Sequence, residues 1–348
     1  MRLMNMSSIL DNDLNEIFER SEDDAKLLLQ RRVLVTGGSG FVGRWLIMAL
    51  LHAAQRLRIE PQIASINRTT TAWQVPLAEN RQLNVINSDV TNSIAVDNRF
   101  DYVFHCATPA SSLLNETNPS EMKRVIEIGA ENVIEYLAGS STRVVNVSSG
   151  AVYGVQPSDV GCLDDEWFGD ARYVLPNSAY HHAKVAAERR FNTAHRDSAL
   201  DVVHARLFAF VAPFLPLNRH FAAGNFLKDA LAGEPVMITG DGRTIRTYMY
   251  GTDLVVWLFA AAVRGVSGSA YNIGSPYEIT IEELATRISQ ISGSGAGVRN
   301  LGEPDLAQSA HRYVPCTTRT ENALGVHLEI GLDTAIDRTL RWLRNSPK

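Results

Sequence analysis

A tyrosine and a lysine four residues apart, Tyr180 and Lys184 in YHHAK, are the pair in this sequence best suited to move a proton. On a helix that spacing puts both side chains on one face. A nearby ammonium favours the phenolate, so the spacing predicts a tyrosine pKa drawn down from about 10 toward the working range. Such a phenol exchanges a proton with a hydroxyl or carbonyl oxygen of a substrate. Upstream, the run RVVNVSS (143–149) ends in Ser149, whose hydroxyl can bond the same oxygen. A lone Tyr-x-x-x-Lys is most often a surface pair. Here it gains meaning from the serine before it and from a glycine series further upstream. His181 and His182 adjoin the tyrosine, and they read as packing or solvent-facing residues rather than a second acid/base.

The glycine series lies in VLVTGGSGFVG (33–43), where Gly37, Gly40 and Gly43 recur at a spacing of three. An apolar strand precedes it and a helix follows, the setting in which such glycines cradle a dinucleotide. Gly37 permits the tight turn, Gly40 lets backbone approach a pyrophosphate, and Gly43 lets the helix pack on the strand. The helix N-terminus then offers free N–H groups and its positive dipole end. At the end of the second strand, SINRTT (65–70) holds no acid for a ribose 2′-hydroxyl. Arg68, between hydroxyl-bearing and amide neighbours, can hold a 2′-phosphate, so this site leans to NADP over NAD. Asp89, ending the third strand, is a candidate adenine contact. Residues 105–108, HCAT, should run beside the cofactor's phosphates and ribose.

The elements that must position these groups alternate. Strands are expected at 33–37, 62–68, 84–89, 102–107, 143–149 and 201–210, and helices at 41–57, 121–138 and 177–195. Strands apolar on both sides and separated by helices predict a parallel sheet covered on both faces. Residues 1–30 read as a helical N-terminal extension and 31–210 as the dinucleotide-binding unit, joined by 245–265. After residue 211 the rhythm loosens, with glycine and proline punctuation. Residues 211–244 and 266–348 read as a smaller second unit that ends in helices at 281–291 and 332–344. The extension either caps the cofactor unit or extends an oligomer.

The 348 residues are 45% hydrophobic and 20% charged, enough for a large core. A net charge of -5 gives no reason to expect nucleic acid or an anionic membrane as a partner. No apolar run reaches the ~18 residues of a membrane helix, and the N-terminus has no signal-type apolar core. Cys106, Cys162 and Cys316 are far apart and odd in number. They suggest neither a disulfide frame nor a metal site, and a cytoplasmic location is the default.

Taken together, TGGSGFVG, SSGAVYG and YHHAK resemble the three main motifs, in order, of the extended short-chain dehydrogenase/reductases of the nucleotide-sugar epimerase/dehydratase type. RLFAFVAPF (206–214), GDGRTIRTYMYGTDL (240–254) and YNIGSP (271–276) extend the resemblance over all but the first thirty residues. Ala212 stands where the family usually has glycine. The resemblance implies an α/β Rossmann-type, doubly wound parallel sheet with a smaller C-terminal substrate domain. It implies Tyr180 as acid/base, Lys184 as the group that lowers its pKa and holds the nicotinamide ribose, and Ser149 as the holder of the reacting oxygen. The implied cofactor set is Gly37, Ser39, Gly40, Phe41, Val42, Gly43, Asn67, Arg68, Asp89, Val90, Cys106, Ala107 and Thr108, with Tyr180 and Lys184. The implied substrate set is Ser111, Ser149, Asn225 and Arg246, of which Arg246 suits a nucleotide diphosphate because its fork fits phosphate oxygens. Asp253 reads as local support. The helices at 121–138 and 177–195 are implied to pair across a two-fold in a homodimer.

One departure narrows the chemistry. In the family's dehydratases and decarboxylases the strand end carries an acid or an acidic pair, and here those positions are Gly150 and Ala151. Hydride transfer at C4 needs no such acid, so a 4-epimerase or a 4-ketoreductase is the expected activity. A 4,6-dehydratase or uronate decarboxylase would need an acid from elsewhere, such as Asp164, Asp165 or Glu166. A non-catalytic NAD(P)-binding sensor or scaffold is the alternative of another class, and the intact Ser149, Tyr180 and Lys184 argue against it.

Overall fold

The side-chain alternation of the first strand sets the architecture. In β1 (Val33–Thr36), Val33 and Val35 enter one apolar cluster, Leu34 enters another, and all three are fully buried. A strand apolar on both faces must be covered on both. The computed structural model describes residues 8–79, 81–96, 99–109, 111–166, 175, 178–217, 221–303 and 309–345. Residues 1–7 of the N-terminal extension and Asn177 of the expected helix lie outside them.

The central sheet adds β2 (Ile63–Asn67), β3 (Asn84–Asn87), β4 (Tyr102–His105), β5 (Arg143–Ser149), β6 (Asp201–Leu207) and a seventh strand, Ala270–Ile273. The order runs from the seventh strand through β6, β5, β4, β1 and β2 to β3. Every pairing is parallel. The helices in chain order are α1 (Ser8–Leu29), α2 (Phe41–Leu57), α3 (Val75–Glu79), α4 (Ser112–Thr117), α5 (Pro119–Leu137), α6 (Ala179–Ser198), α7 (Ala222–Ala232), α8 (Gly251–Arg264), α9 (Ile281–Ser292), α10 (Thr318–Leu324) and α11 (Leu332–Asn345). Met122, Ile126 and Val133 of α5 and Ala183, Ala187 and Phe191 of α6 close over Leu34, Val103, Val144 and Val202. On the other face α2 and α8 cover Val35, Phe104, Val145 and Val203.

Local chemistry fixes where the site-bearing helices begin. Asn118 accepts the Glu121 N–H at the start of α5, with a proline in its first turn, and Ser178 accepts the His181 N–H at the start of α6. The α1 extension packs on α2 and α8, burying Leu14, Ile17 and Leu28. Its polar residues are paired as well. Asp13 accepts from the Tyr250 hydroxyl at 2.6 Å and from Arg338 at 2.9 Å. Arg20 donates to Asp253 at 2.6 Å, and Asp253 also accepts the Glu329 and Ile330 N–H groups.

Three sequence expectations change. The strand expected over 201–210 ends at Leu207. Ala209–Phe210 then leaves the sheet to pair with Tyr248–Met249, and Phe208 at the break turns its ring toward Tyr153 and Tyr313. Ala270–Ile273, assigned by sequence to the second unit, is buried throughout and forms the outer strand of the central sheet. Cys162 and Cys316, expected to be unpaired, form a disulfide across 154 residues of sequence. The fold brings them together through a bridge between Leu163 and Pro315, with Leu163 N donating to Val314 O at 2.7 Å. Spacing along the chain carries no sign of it, and the cysteine argument for a cytoplasmic location goes with it. Among the described residues, no helix is long and apolar enough to cross a membrane.

Candidate active site

The turn between β1 and α2 is held by absent side chains. Gly37 has a φ of +71°, and a Cβ there would stand 2.7 Å from Ala107 Cα. A Cβ on Gly43 would stand 2.5 Å from Gly37 O, and one on Gly40 3.2 Å from the same oxygen. No side chain caps α2 at Gly40, which leaves its first N–H groups without a side-chain acceptor, as an anion site requires. This backbone cradle fits a dinucleotide pyrophosphate. Gly38, passed over in the sequence, is equally constrained, because a Cβ there would run into Ser65 Oγ. Phe41 packs against Phe210, with ring centroids 5.9 Å apart, and Val42 lies half-buried beside it.

Asn67 braces the turn from the end of β2. Its Oδ1 accepts from Ser39 N at 3.2 Å and from Ser65 Oγ at 2.6 Å. Arg68 next to it is exposed. Burial pushes the Asp89 carboxyl upward, but the Thr91 N–H and hydroxyl, with Arg68 and Arg124, outweigh that and leave it below the ordinary range. Val90 is buried against Gly129 of α5. At the end of β4, His105 Nδ1 meets Thr36 Oγ1 at 2.9 Å, and burial lowers its pKa to about 3. Burial pushes the Cys106 thiol up to about 12. Ala107 N donates to Thr36 Oγ1 at 3.3 Å.

The strand ends deliver the reactive side chains to one place. Lys184 Nζ donates to Thr108 Oγ1 at 3.0 Å and to Val147 O at 2.9 Å, and it stands 6.0 Å from the centre of the Tyr180 ring. Burial lowers its pKa to about 8, against the pull of Glu188. Ser149 Oγ accepts the Ala151 N–H at 3.1 Å. Tyr180 N donates to Asn115 Oδ1 at 2.9 Å, which anchors the first turn of α6. The Tyr180 pKa departs from the sequence expectation. Burial raises it and Ser149 works in the other direction, while the Lys184 ammonium is directed to Thr108 and the Val147 carbonyl. His181 is buried and contacts Ala151 O through Nδ1 at 2.6 Å, so it ties α6 to the strand end.

The expected substrate residues lie on separate elements. Arg246 places its guanidinium carbon 5.7 Å from the centre of the Tyr313 ring. Asn225 lies half-buried on α7, and the Ser111 hydroxyl caps α4 by accepting the Leu114 N–H. Tyr313 and Phe208 were missed by sequence reasoning. Their rings lie 4.5 Å apart, and burial pushes the Tyr313 phenol's pKa well above the ordinary range. A Cβ on Gly150 would stand 2.5 Å from Tyr313 Oη and 2.6 Å from Phe208 Cζ. Beneath the site, Arg206 binds Glu188 through Nη2 at 2.8 Å and Nε at 3.1 Å, and donates to the Tyr153 hydroxyl at 3.0 Å. Glu188 follows Lys184 by one helical turn, a spacing that could have signalled it. Of the alternative acids, Asp165 pairs with Arg319 at 2.8 Å and accepts from Thr320, while Asp164 accepts the Glu166 N–H.

With this geometry established, comparison with known proteins places the chain. The model of the NAD dependent epimerase/dehydratase family matches residues 33–274. The chain belongs to that family. UDP-glucuronic acid decarboxylase 1 of Xenopus tropicalis is 27% identical over 316 residues, 90% of this chain and 72% of that protein. dTDP-glucose 4,6-dehydratase of Streptomyces niveus is 26% identical over 324 residues, 90% of this chain and 93% of that one. Among solved structures, an epimerase of Methanothermobacter thermautotrophicus superposes with a TM-score of 0.79 at 25% identity, over 94% of this chain and 96% of that one. This family member is therefore an enzyme of the NAD-dependent nucleotide-sugar epimerase/dehydratase class, on a Rossmann-type sheet.

Proposed function

We propose that this enzyme transfers a hydride at C4 of a nucleotide-diphosphate sugar, as a 4-epimerase or 4-ketoreductase, without expelling water or carbon dioxide. One observation carries the reading. The strand end after Ser149 holds Gly150 and Ala151 in place of an acid, and the volume beside Gly150 is taken by Tyr313 and Phe208. The dinucleotide, held by the Gly37–Gly43 turn, Asn67 and Thr108, supplies the hydride acceptor or donor. Tyr180 takes the proton from the C4 hydroxyl on oxidation and returns it on reduction. Ser149 holds that oxygen. Lys184 supplies positive charge to the ribose side of the site, and Arg246 with Asn225 and Ser111 holds the nucleotide diphosphate and sugar.

The end of β2 supports NADP, since Asn67 offers no carboxylate to a ribose hydroxyl and Arg68 stands exposed beside it. The family's description supports NAD. Mass analysis of dinucleotide released from the purified protein separates them. A tightly held NAD supports the epimerase, and an empty site that takes up NADPH supports the reductase. We propose a homodimer through α5 and α6, which lie side by side on one face of the sheet, readable by analytical ultracentrifugation.

The names of the relatives favour a second reading, decarboxylation or dehydration. It needs an acid from elsewhere, and Asp165 is engaged by Arg319 and Thr320. Tyr180→Phe tests the enzyme reading against a sensor. A loss of turnover of roughly a hundredfold or more with dinucleotide binding retained supports catalysis. A parent protein that turns over no UDP- or dTDP-hexose supports the sensor.

A further inference from the structure

Tyr180 and Lys184 are each bonded to the chain that leads from β4 into α4. Lys184 Nζ donates to Thr108 Oγ1 at 3.0 Å, and the Tyr180 N–H donates to Asn115 Oδ1 at 2.9 Å. Thr108 follows β4, and Asn115 lies on α4. Between them in sequence stands Ser111, a residue of the expected substrate set. Its hydroxyl accepts Leu114 N at 3.2 Å and its carbonyl accepts Asn115 N at 3.0 Å, so Ser111 and Asn115 share one helical turn. One connection of the chain therefore meets both residues of the pair and carries a candidate substrate contact.

Tyr180 is the second residue of α6, so its N–H is one of those that find no partner inside the helix. Ser178 Oγ takes the next such group, on His181, at 3.2 Å. The Tyr180 N–H is met from another element, by the Asn115 carboxamide. We propose that Asn115 is a positioning residue for Tyr180. Its bond fixes the tilt of the first turn of α6, so that the phenol meets the reacting oxygen, and ties that tilt to the turn that carries Ser111. The proposal rests on the C4 reading for the proton that Tyr180 moves.

The bond has leverage because a tyrosine hydroxyl lies at the far end of its ring, where a small backbone tilt is magnified. Misplacing a reacting group by about 1 Å can cost roughly a hundredfold in rate. The other supports of this turn leave the tilt open. The Ser178 cap belongs to α6 and moves with it. His181 Nδ1 meets Ala151 O at 2.6 Å and holds the turn to the strand end, but consecutive helical residues point about 100° apart, so Asn115 grips a different side. The support itself is seated. Leu114 packs on the same apolar cluster as Tyr180. At the far end of α4, Asn118 N donates to Leu114 O at 2.9 Å while its side chain accepts Glu121 N at 3.1 Å, which locks α4 to α5.

Two variants and two readouts test this. Asn115→Leu removes the acceptor at similar volume, and Asn115→Asp keeps one. The first readout is hydrogen exchange of the Tyr180 amide, by NMR of protein carrying isotope-labelled tyrosine. The chain has ten tyrosines, and loss of a signal in Tyr180→Phe identifies the one that matters. Its exchange should be roughly tenfold faster in Asn115→Leu and near that of the parent in Asn115→Asp. The second readout is turnover of UDP- and dTDP-hexoses. In Asn115→Leu, kcat should fall about tenfold with parent-like dinucleotide Kd and melting temperature, and Asn115→Asp should restore it. A parent-like kcat in Asn115→Leu overturns the proposal. So does a kcat equally low in both variants while Asn115→Asp keeps the amide protected. A parent that turns over no hexose nucleotide defeats the C4 reading, and amide exchange then decides the Asn115 bond alone: faster exchange in Asn115→Leu supports it, and unchanged exchange overturns it.

Discussion

Lys184 donates to Thr108 at 3.0 Å and so joins the helix that carries Tyr180 to the end of strand β4. The lysine is buried and its pKa is lowered to about 8. An ammonium is held there against its own desolvation, which is a stability cost at a position proposed to serve the dinucleotide.

Lys184→Met is therefore expected to reduce kcat by roughly a hundredfold or more while leaving the melting temperature equal to or above that of the parent. In the parent, the folded-state pKa of about 8 lies below the ordinary 10.5. The unfolded chain then holds more proton between those values, so this group's contribution to stability rises with pH across that window. Activity moves the other way and falls as pH passes about 8. Paired melting curves and kcat/KM profiles check both signs, and the methionine variant should lose the stability slope.

Gly43→Ala places a Cβ 2.5 Å from Gly37 O, and the opposing atom is backbone that cannot swing aside. The expected cost is roughly 1–3 kcal/mol, together with a loss of dinucleotide affinity larger than the loss of stability explains. Chemical denaturation and equilibrium binding on the same preparation compare the two. Parent-like affinity in Gly43→Ala would mean that the turn does not hold the pyrophosphate.

Glu188 and Arg206 are fully buried partners. Removing one charge leaves the other unpaired, so Glu188→Gln or Arg206→Met alone should destabilise by about 3–5 kcal/mol. The double variant Glu188→Leu/Arg206→Met should lose clearly less than the sum of the single losses, as a denaturation double-mutant cycle would reveal. Additive losses would show that the pair is not coupled.

Much of the frame was legible because it is local. Val33, Leu34 and Val35 alternate, Gly37, Gly40 and Gly43 keep their spacing, and Tyr180 and Lys184 lie one helical turn apart; each pattern is written within a few residues. What escaped the sequence joins distant segments. Tyr313 meets Phe208 beside Gly150 through a loop whose path no periodicity announces, and Cys162 meets Cys316 by the same path. The Tyr180 expectation failed for an energetic reason. Spacing reported the lysine beside it, but burial of the phenol, invisible in the sequence, has the larger effect. Ala270–Ile273 was misplaced because a short apolar strand late in the chain does not say which sheet it will join.

The fate of the hydrogen on C4 tests the central claim most directly. The protein is incubated with UDP- and dTDP-hexoses and with a UDP-hexuronate, each deuterated at C4, and the products are read by mass spectrometry and proton NMR. The account predicts that deuterium either stays on C4 of an inverted sugar or passes to the dinucleotide as a 4-keto sugar forms, with the remaining carbon skeleton and C6 oxygen intact. A product that has lost water or carbon dioxide, or that carries the deuterium at C6, would contradict it.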